Sequence, residues 1–220
     1  VVIGPDQTKW IGSYSKGLIG FNESGMMLKN ISDEDVANLP TSAIKSLALD
    51  KNNVLWIGTY RGLRVLYNTS NFFSEDMVRT ESIIILEEGL PKELLAQQFI
   101  TDIKVDGSNN KWISTADAGV FYLSSSGQKT IYHFTKQNSP LPSDNIVDLS
   151  IDENSGVVYI ATDNGLVSFL SGASSPQGDL TKAFAYPNPV RPNFNIVDEK
   201  VKIKDISENV NIKITDIEGN

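Results

Sequence analysis

The sequence predicts an all-β fold: a partial β-propeller of four-stranded antiparallel blades, followed by the start of an Ig-like β-sandwich. Three observations predict it. A motif with one aromatic residue and one glycine recurs four times, a second β-rich motif precedes three of its copies, and the strand that carries the aromatic residue is apolar on both faces.

The aromatic motif establishes the repeat. Its aromatic residues are Trp10, Trp56, Trp112 and Tyr159, which lie 46, 56 and 47 residues apart. Six or seven residues later comes a glycine before Leu or Val, and these glycines are Gly17, Gly62, Gly119 and Gly165. Repeats of about 40 to 50 residues are typical of propellers and solenoids.

The second motif predicts the strand before the aromatic strand. It reads IKSLALD at 44–50, ITDIKVD at 100–106 and IVDLSID at 146–152. Each copy ends in an Asp before a turn rich in Asn, Gly or Ser, so we expect the Asp side chain to cap that turn. The first aromatic motif has no such partner, so we expect the sequence to begin partway through a repeat.

The aromatic strand VLWIGT, at 54–59, explains the motif. Neighbouring side chains of a strand point to opposite faces, and both faces here are apolar, as in a sheet packed between two other sheets. We expect the aromatic residue to fill the space between blades and the glycine of the next turn to adopt positive φ. A small residue two positions later should make room for the aromatic ring, namely Gly12, Gly58, Ser114 or Ala161.

A third strand follows each turn, and a fourth is predicted at 26–31, 81–86 and 129–134. Four strands in a repeat of this length are typical of a propeller blade. Residues 1–172 are therefore expected to form about three and a half blades of an incomplete ring. Residues 173–182 read as a Gly, Ser and Pro linker.

The final segment, 183–220, changes character and predicts the start of a truncated C-terminal β-sandwich. Prolines at 187, 189 and 192 favour an extended entry segment. Alternating apolar residues then predict two half-buried strands, one with Val201 and Ile203, the other with Val210, Ile212 and Ile214.

Composition excludes several functions. The net charge of -8 is spread along the chain, so nucleic acid is not an expected partner. No apolar stretch approaches the roughly 20 residues of a transmembrane helix. There is no cysteine and only one histidine, His133, and no metal, cofactor or catalytic pattern is present. We therefore expect no enzymatic activity, no cofactor and no metal in this chain.

Recognition is expected on loops, because loops on a rigid scaffold carry most binding residues. In an up-and-down blade, the turn after the aromatic strand shares a face with the loop that enters the next inner strand. The residues predicted for a ligand or partner face are Ser42, Tyr60, Arg61, Asp117, Asp144, Asp163 and Asn164. A second candidate contact region is 69–93, the longest departure from the repeat.

The repeat, with its W-I-G-T and G-L elements, resembles that of two-component-regulator propellers. The tail, with AYPNPVRP followed by KVKIKDI, resembles the start of the C-terminal sorting domain of type IX secretion substrates. Together they are similar to the PorZ-like family of type IX secretion proteins. This resemblance implies an exported, non-catalytic protein at the cell surface or outer membrane, which acts with the sortase PorU and with PorV and PorQ, and with an anionic lipopolysaccharide anchor.

Two alternatives remain open. The chain fits a ligand-sensing periplasmic propeller of a hybrid two-component sensor, in which case the gene should also encode a transmembrane helix and a kinase. It also fits an ordinary exported type IX substrate or hydrolase that carries a sorting tail.

Overall fold

The computed structural model describes residues 1–32, 34–87, 89–171, 173, 176, 178–186, 201–207, 210–213 and 215. Four antiparallel sheets follow one another along the chain, and we call them blades 1 to 4. In each, strand order equals chain order, as in an up-and-down meander. The all-β propeller architecture is therefore confirmed.

The blades have four, three, four and three strands. Blade 1 contains β1 (Val2–Ile3), β2 (Lys9–Gly12), β3 (Leu18–Asn22) and β4 (Met27–Ile31), and helix α1 (Glu34–Ala37) follows it. Blade 2 contains β5 (Ile44–Leu49), β6 (Leu55–Thr59) and β7 (Gly62–Leu66), followed by a 3₁₀ turn (Thr69–Asn71) and the hairpin of β8 (Ile84–Glu87) and β9 (Leu90–Glu93). Blade 3 contains β10 (Ile100–Val105), β11 (Lys111–Thr115), β12 (Val120–Leu123) and β13 (Thr130–Phe134). Blade 4 contains β14 (Ile146–Asp152), β15 (Val157–Thr162) and β16 (Gly165–Leu170), and the tail contains β17 (Phe184–Tyr186) and β18 (Lys202–Lys204).

The first blade does have an inner strand, contrary to the sequence expectation. Val2 pairs with Trp10 and Ile3 with Lys9. β1 therefore lies beside the aromatic strand of blade 1 as β5 lies beside β6 in blade 2. Only these two residues form the strand, so no seven-residue motif could reveal it.

The fourth strand is confirmed in blades 1 and 3 and wrong in blade 2. Segment 81–86 makes one isolated bridge to β7, between Glu81 and Val65. The chain then leaves the sheet, and β8 pairs with β9 instead. A local partner across a tight turn therefore displaces the predicted pairing with β7.

The predicted packing of the aromatic residues is confirmed for the three tryptophans. Each packs in a core between its own blade and the next: Trp10 with Leu55, Trp56 with Ile100, and Trp112 with Ile146. Their exposed fractions are 2%, 1% and 0%. Burial of each indole holds two consecutive sheets together.

The prediction is wrong for Tyr159, which is 41% exposed. In blade 1, the face that carries Trp10 is covered by blade 2. Tyr159 lies on the equivalent face of blade 4. No further blade packs against that face among the residues that the structure describes. The ring therefore has no facing sheet to pack on.

In blades 1 and 2 the glycine two positions after the tryptophan lies against a different neighbour from the one expected. A Cβ at Gly58 would lie 2.6 Å from Cγ2 of Ile100, and a Cβ at Gly12 would lie 2.6 Å from Cγ2 of Ile44. Both isoleucines open the inner strand of the next blade. The glycine therefore makes room for the next blade rather than for the aromatic ring of its own strand.

The turn predictions hold. Asp50 Oδ1 accepts hydrogen bonds from the backbone N–H groups of Asn52 and Val54, and Asp106 caps its turn in the same way. The glycine of each turn after an aromatic strand has positive φ. At Gly119 a Cβ would lie 2.1 Å from the carbonyl oxygen of Phe134, so no other residue fits that turn.

The tail is described only in part. Its first predicted strand is confirmed as β18, which pairs with β17. Residues 210–213 are not in a strand, and Ile214 and the segment 187–200 lie outside the described residues. The β-sandwich, the linker at 173–182 and the domain limits stay predictions. Nowhere in the described part of the chain is a helix long and apolar enough to cross a bilayer.

Candidate functional site

One end of the blades carries the turns and entry loops that were predicted to share a face, and we call it the loop face. It comprises the turns 13–17, 60–61, 116–119 and 163–164 and the entry loops 41–43, 98–99 and 143–145. Backbone hydrogen bonds join these segments between neighbouring blades. The N–H of Gly17 donates to the Ser42 carbonyl and the N–H of Gly119 to the Asp144 carbonyl, each at 3.0 Å.

Similar bonds tie the turns of blades 2, 3 and 4 to the entry loops of their own blades. Tyr60 N–H donates to the Ala43 carbonyl, and Asp163 N–H donates to the Asn145 carbonyl, each at 3.2 Å. Ala116 N–H donates to the Phe99 carbonyl at 3.0 Å. The loop face is therefore a surface of short segments held by the sheets beneath them.

A row of three aromatic rings crosses the loop face from blade 1 to blade 3. The ring of Tyr60 stacks on that of Phe99, with centroids 4.1 Å apart, and meets the edge of Tyr14 at 5.6 Å. Tyr14 is 72% exposed. Tyrosines of this kind offer a rigid apolar surface with a hydroxyl group, which suits contact with a partner.

The structure places Arg61 beside this row, exposed, with its N–H bonded to Thr59 Oγ1. Ser42 lies in the entry loop of the same blade, and its carbonyl accepts the N–H of Gly17 from blade 1. Asp144 accepts the N–H of Lys136 at Oδ1, 2.7 Å away, so its carboxylate orders the loop that precedes β14.

The remaining predicted residues lie further along the loop face. Asp117 is exposed in the turn of blade 3. Asp163 Oδ2 accepts a hydrogen bond from Asn145 Nδ2 at 3.4 Å, and Asn164 N–H donates to Thr162 Oγ1. The seven residues thus lie along one face of blades 2 to 4 and do not converge on one pocket.

A second polar feature, not predicted, runs along the inner strands, which lie side by side in neighbouring blades. The third residue of the inner-strand motif is Ser46 in blade 2, Asp102 in blade 3 and Asp148 in blade 4. Ser46 Oγ donates to Asp102 Oδ1 at 2.9 Å, and Leu149 N–H donates to Asp102 Oδ2 at 3.2 Å. Lys104 Nζ lies 2.8 Å from Asp102 Oδ2.

The carboxyl of Asp148 has a raised pKa. Burial raises its pKa above the ordinary value, and the hydrogen bond and negative charge of Asp102 raise it further, while Lys104 partly offsets this. It is therefore unfavourable for Asp102 and Asp148 to be deprotonated at the same time. In the described residues, no three or more His, Cys, Asp or Glu side chains are grouped to hold a metal ion.

Sequence reasoning missed Phe99 and the inner-strand carboxylates. Phe99 directly precedes the inner strand of its blade, as Ala43 and Asn145 do in theirs, so alignment of the copies one residue upstream would have placed it on the loop face. The polar third position of the inner-strand motif recurs in all three copies. An alignment of the three copies would therefore have identified this polar position from the sequence.

Comparison with known proteins agrees with this architecture. The family model described as a two-component regulator propeller matches residues 38–61. No curated protein matches the sequence.

Among solved structures, the chain is similar to PorZ, an essential bacterial surface component of the type IX secretion system of Porphyromonas gingivalis. The two are 30% identical over 94% of this chain and 30% of the PorZ chain, with a TM-score of 0.69. This chain therefore spans less than a third of the length of PorZ.

Two extracellular domains from B. thetaiotaomicron are also similar. One belongs to a proposed one-component system and is 25% identical over 75% of this chain and 20% of its own, with a TM-score of 0.54. The other belongs to a proposed hybrid two-component system and is 23% identical over 79% of this chain and 21% of its own, with a TM-score of 0.58; it shares the fold. Over nearly all of its length the chain is therefore similar to PorZ, and its residues 38–61 match the two-component regulator propeller model.

Proposed function

We propose that this chain is part of an exported, non-catalytic component of a type IX secretion system at the cell surface. In this proposal the loop face binds partner proteins of the attachment complex, such as the sortase PorU, PorV and PorQ, and the complex presents a lipopolysaccharide anchor to the sortase. The observation that carries the proposal is the similarity to PorZ over 94% of this chain.

The chemistry of the loop face fits a binding role. Tyrosine and arginine are enriched among the residues that dominate protein interfaces, and here Tyr14, Tyr60 and Arg61 stand together on short turns. Because backbone hydrogen bonds fix those turns, little entropy is lost when a partner binds.

A catalytic role has little support. The single histidine, His133, stacks on Phe121 and donates from Nε2 to the carbonyl of Ala118, so Nε2 is held by the backbone rather than by a nucleophile. The carboxylates Asp102 and Asp148 hold the backbone and each other between inner strands. These contacts favour a scaffold.

The test is made in a type IX secreting bacterium that encodes this protein. Tyr14→Ala with Tyr60→Ala removes two rings of the row. We expect co-purification of PorU with the protein to fall and more cargo to appear unanchored in the medium. The matched control is Tyr67→Ala, because Tyr67 lies just beyond the other end of β7 and is 49% exposed.

Full PorU recovery and normal cargo anchoring in the double variant would contradict the role of the loop face. Normal anchoring after deletion of the whole gene would contradict the secretion role itself. Binding of purified protein to lipopolysaccharide, measured separately, tests the proposed contact with the anchor.

A second candidate is a ligand-sensing extracellular domain of a signalling receptor. The 25% identity over 75% of this chain to an extracellular one-component-system domain favours it. Under that function, deletion of the gene should change transcription in response to an external ligand while cargo anchoring stays normal, which is the opposite pattern to the one expected above.

A further inference from the structure

A cleft opens between blades 1 and 2, at the end of the blades opposite to the loop face, and we call it the turn cleft. It lies between the turn that precedes β2 and the turn that precedes β6, and its volume is about 290 Å³. One water molecule occupies about 30 Å³, so the turn cleft has room for a small organic group. The lining residues that the argument uses are Gly4, Asp6 and Trp10.

The same turn joins the inner strand to the aromatic strand in blades 1 and 2. The N–H of Gly4 donates to the carbonyl of Thr8, four residues later. The N–H of Asp50 donates in the same way to the carbonyl of Val54. In both turns, the carbonyl of the first residue accepts the N–H of the residue three positions later. Gly4 therefore holds in blade 1 the position that Asp50 holds in blade 2.

In blade 2 this Asp binds the tryptophan of its own sheet. Trp56 Nε1 donates to Asp50 Oδ2 at 3.2 Å. Lys111 Nζ, from blade 3, lies 2.8 Å from the same oxygen, and the exposed fractions of the two charged side chains are 3% for Asp50 and 0% for Lys111. An Asp and a Lys therefore fill the space between blades 2 and 3.

Blade 1 and its neighbour have neither of these two groups. Gly4 has no side chain, and Leu55 holds the position before the tryptophan that Lys111 holds in blade 3. Trp10 is only 2% exposed, yet none of the described residues accepts a hydrogen bond from its Nε1. A Cβ at Gly4 would lie 3.6 Å from this nitrogen. The indole N–H of Trp10 is therefore left beside the space that an Asp fills in blade 2.

This indole N–H is within reach of a ligand. Trp112 Nε1 also lacks an acceptor, but it is sealed in the core, whereas Trp10 lines the turn cleft. The Phe72 ring packs edge-on against the Trp10 ring, with centroids 4.8 Å apart, and holds it in place. An indole nitrogen is only a donor, and a buried donor without an acceptor is costly. The turn cleft therefore favours a ligand with an acceptor atom.

The charge of the turn cleft disfavours an anion. A Cβ at Gly4 would lie 2.7 Å from Asp6 Oδ1, so Asp6 and Trp10 both have polar atoms within 4 Å of one point. The Asp6 carboxylate accepts the N–H and the hydroxyl of Thr8 and has capacity for another donor. No Lys or Arg lines the cleft among the described residues. The fitting ligand group thus combines an acceptor with a neighbouring donor, as an amide does.

We propose that the turn cleft binds a carboxamide group of a partner chain, either the side chain of an Asn or Gln or a peptide bond. The amide oxygen accepts the N–H of Trp10, and the amide N–H donates to Asp6. The ligand takes the place that the Asp50 side chain takes in blade 2. The inference goes beyond the proposed partner contacts of the loop face and does not rest on them, because the cleft lies at the opposite end of the blades.

The test labels the tryptophan indole nitrogens of the full-length protein with ¹⁵N and follows their N–H signals by NMR during a titration. Trp10→Phe assigns the signal of Trp10. The probes are acetamide, for a side-chain amide, and N-methylacetamide, for a peptide bond, with acetate and methylammonium as charged counterparts. We expect at least one amide to shift the Trp10 signal saturably, with a Kd of about 1 to 10 mM, as for few contacts. The signals of Trp56 and Trp112 should not shift.

Gly4→Asp combined with Asp6→Ala copies the turn of blade 2 and keeps the net charge. The introduced carboxylate should accept the N–H of Trp10, and we expect amide affinity to fall by about 10-fold or more, because the donor is then occupied. The matched control is Gly178→Asp combined with Asp179→Ala, the same changes at an exposed site, which should bind as the original protein does. Thermal melting verifies that each variant is folded.

Asp6→Asn is a second and milder variant, because it removes the charge at nearly constant size. We expect amides to bind about 3-fold more weakly, since the acceptor is no longer charged. Acetate should bind more tightly than it does to the original protein, because the like charge is gone.

Several results would overturn the inference: no saturable shift of the Trp10 signal with either amide, tighter binding of acetate or methylammonium than of the amides to the original protein, full amide binding in the Gly4→Asp double variant, or equal losses in that variant and its control. Binding of acetamide alone would support a side-chain amide as the ligand, and binding of N-methylacetamide would support a peptide bond.

Discussion

Lys111 is a charged residue whose side chain is fully buried. Its side chain is completely buried between blades 2 and 3, with Nζ 2.8 Å from Asp50 Oδ2 and 4.8 Å from the centre of the Trp56 ring. Two carbonyl oxygens, of Asn109 and Ser125, accept its remaining N–H groups at 2.7 Å. Burial lowers the pKa of Lys111, while the bond to Asp50 opposes this shift.

Loss of one member of this pair should be costly, because the other charge stays buried. We expect Lys111→Met to lower the free energy of unfolding by about 3 to 5 kcal/mol, measured by urea denaturation. Adding Asp50→Asn should cost less than the sum of the two single changes. The control is Lys129→Met at an exposed site; equal effects of the two lysine changes would contradict the account.

Asp148 gives a pH-dependent prediction. Because its pKa is raised in the folded protein, its contribution to stability is complete below the unfolded value of about 3.9 and is lost as pH rises through the folded value. Asp148→Asn should therefore stabilise the protein at pH 7, by about 0.5 kcal/mol or less after solvent screening, and have no effect at pH 3.

The measurement is thermal melting at the two pH values. Asp117→Asn, in an exposed turn, is the matched control and should leave the difference between the two pH values unaltered. A loss of stability at pH 7 in Asp148→Asn would show that the carboxylate is needed in its charged form.

At the scale of the element, the close packing of blades 1 to 3 depends on the glycine two positions after the tryptophan in blades 1 and 2. We expect Gly58→Ala to destabilise the protein by about 1 to 3 kcal/mol, because the new methyl group would lie 2.6 Å from Ile100 Cγ2. Denaturation with urea measures the change. Gly178→Ala, with no atom within 4 Å of the added Cβ, should be neutral, and Gly58→Ala combined with Ile100→Ala should cost less than the sum of the two single changes.

The elements differ in how far the sequence predicts them. The aromatic strand β6 was predictable because both its faces are apolar and its ends carry turn residues. The fourth strand of blade 2 was not, because the run SIIIL specifies a half-buried strand without specifying its partner. The loop face followed from topology, whereas the pairing of β8 with β9 lies outside every repeated motif.

At the scale of the whole molecule, one surface breaks the pattern of the repeat. Leu18, Leu63 and Val120 hold the position after the turn glycine in blades 1 to 3, and their exposed fractions are 0%, 1% and 0%. Leu166 holds it in blade 4 and is 66% exposed, beside the exposed Tyr159. A further blade stacked on this face of blade 4 would bury Leu166, as the equivalent residues of blades 1 to 3 are buried.

The most direct test of blade stacking uses the absence of cysteine from the chain. Leu63→Cys and Leu166→Cys each introduce one thiol at equivalent positions of blades 2 and 4, and the rate of labelling by a maleimide is measured in the native 220-residue chain. Stacking predicts that the thiol in blade 2 reacts only after unfolding, whereas the thiol in blade 4 reacts at once. Equally fast labelling at both positions under native conditions would contradict the propeller.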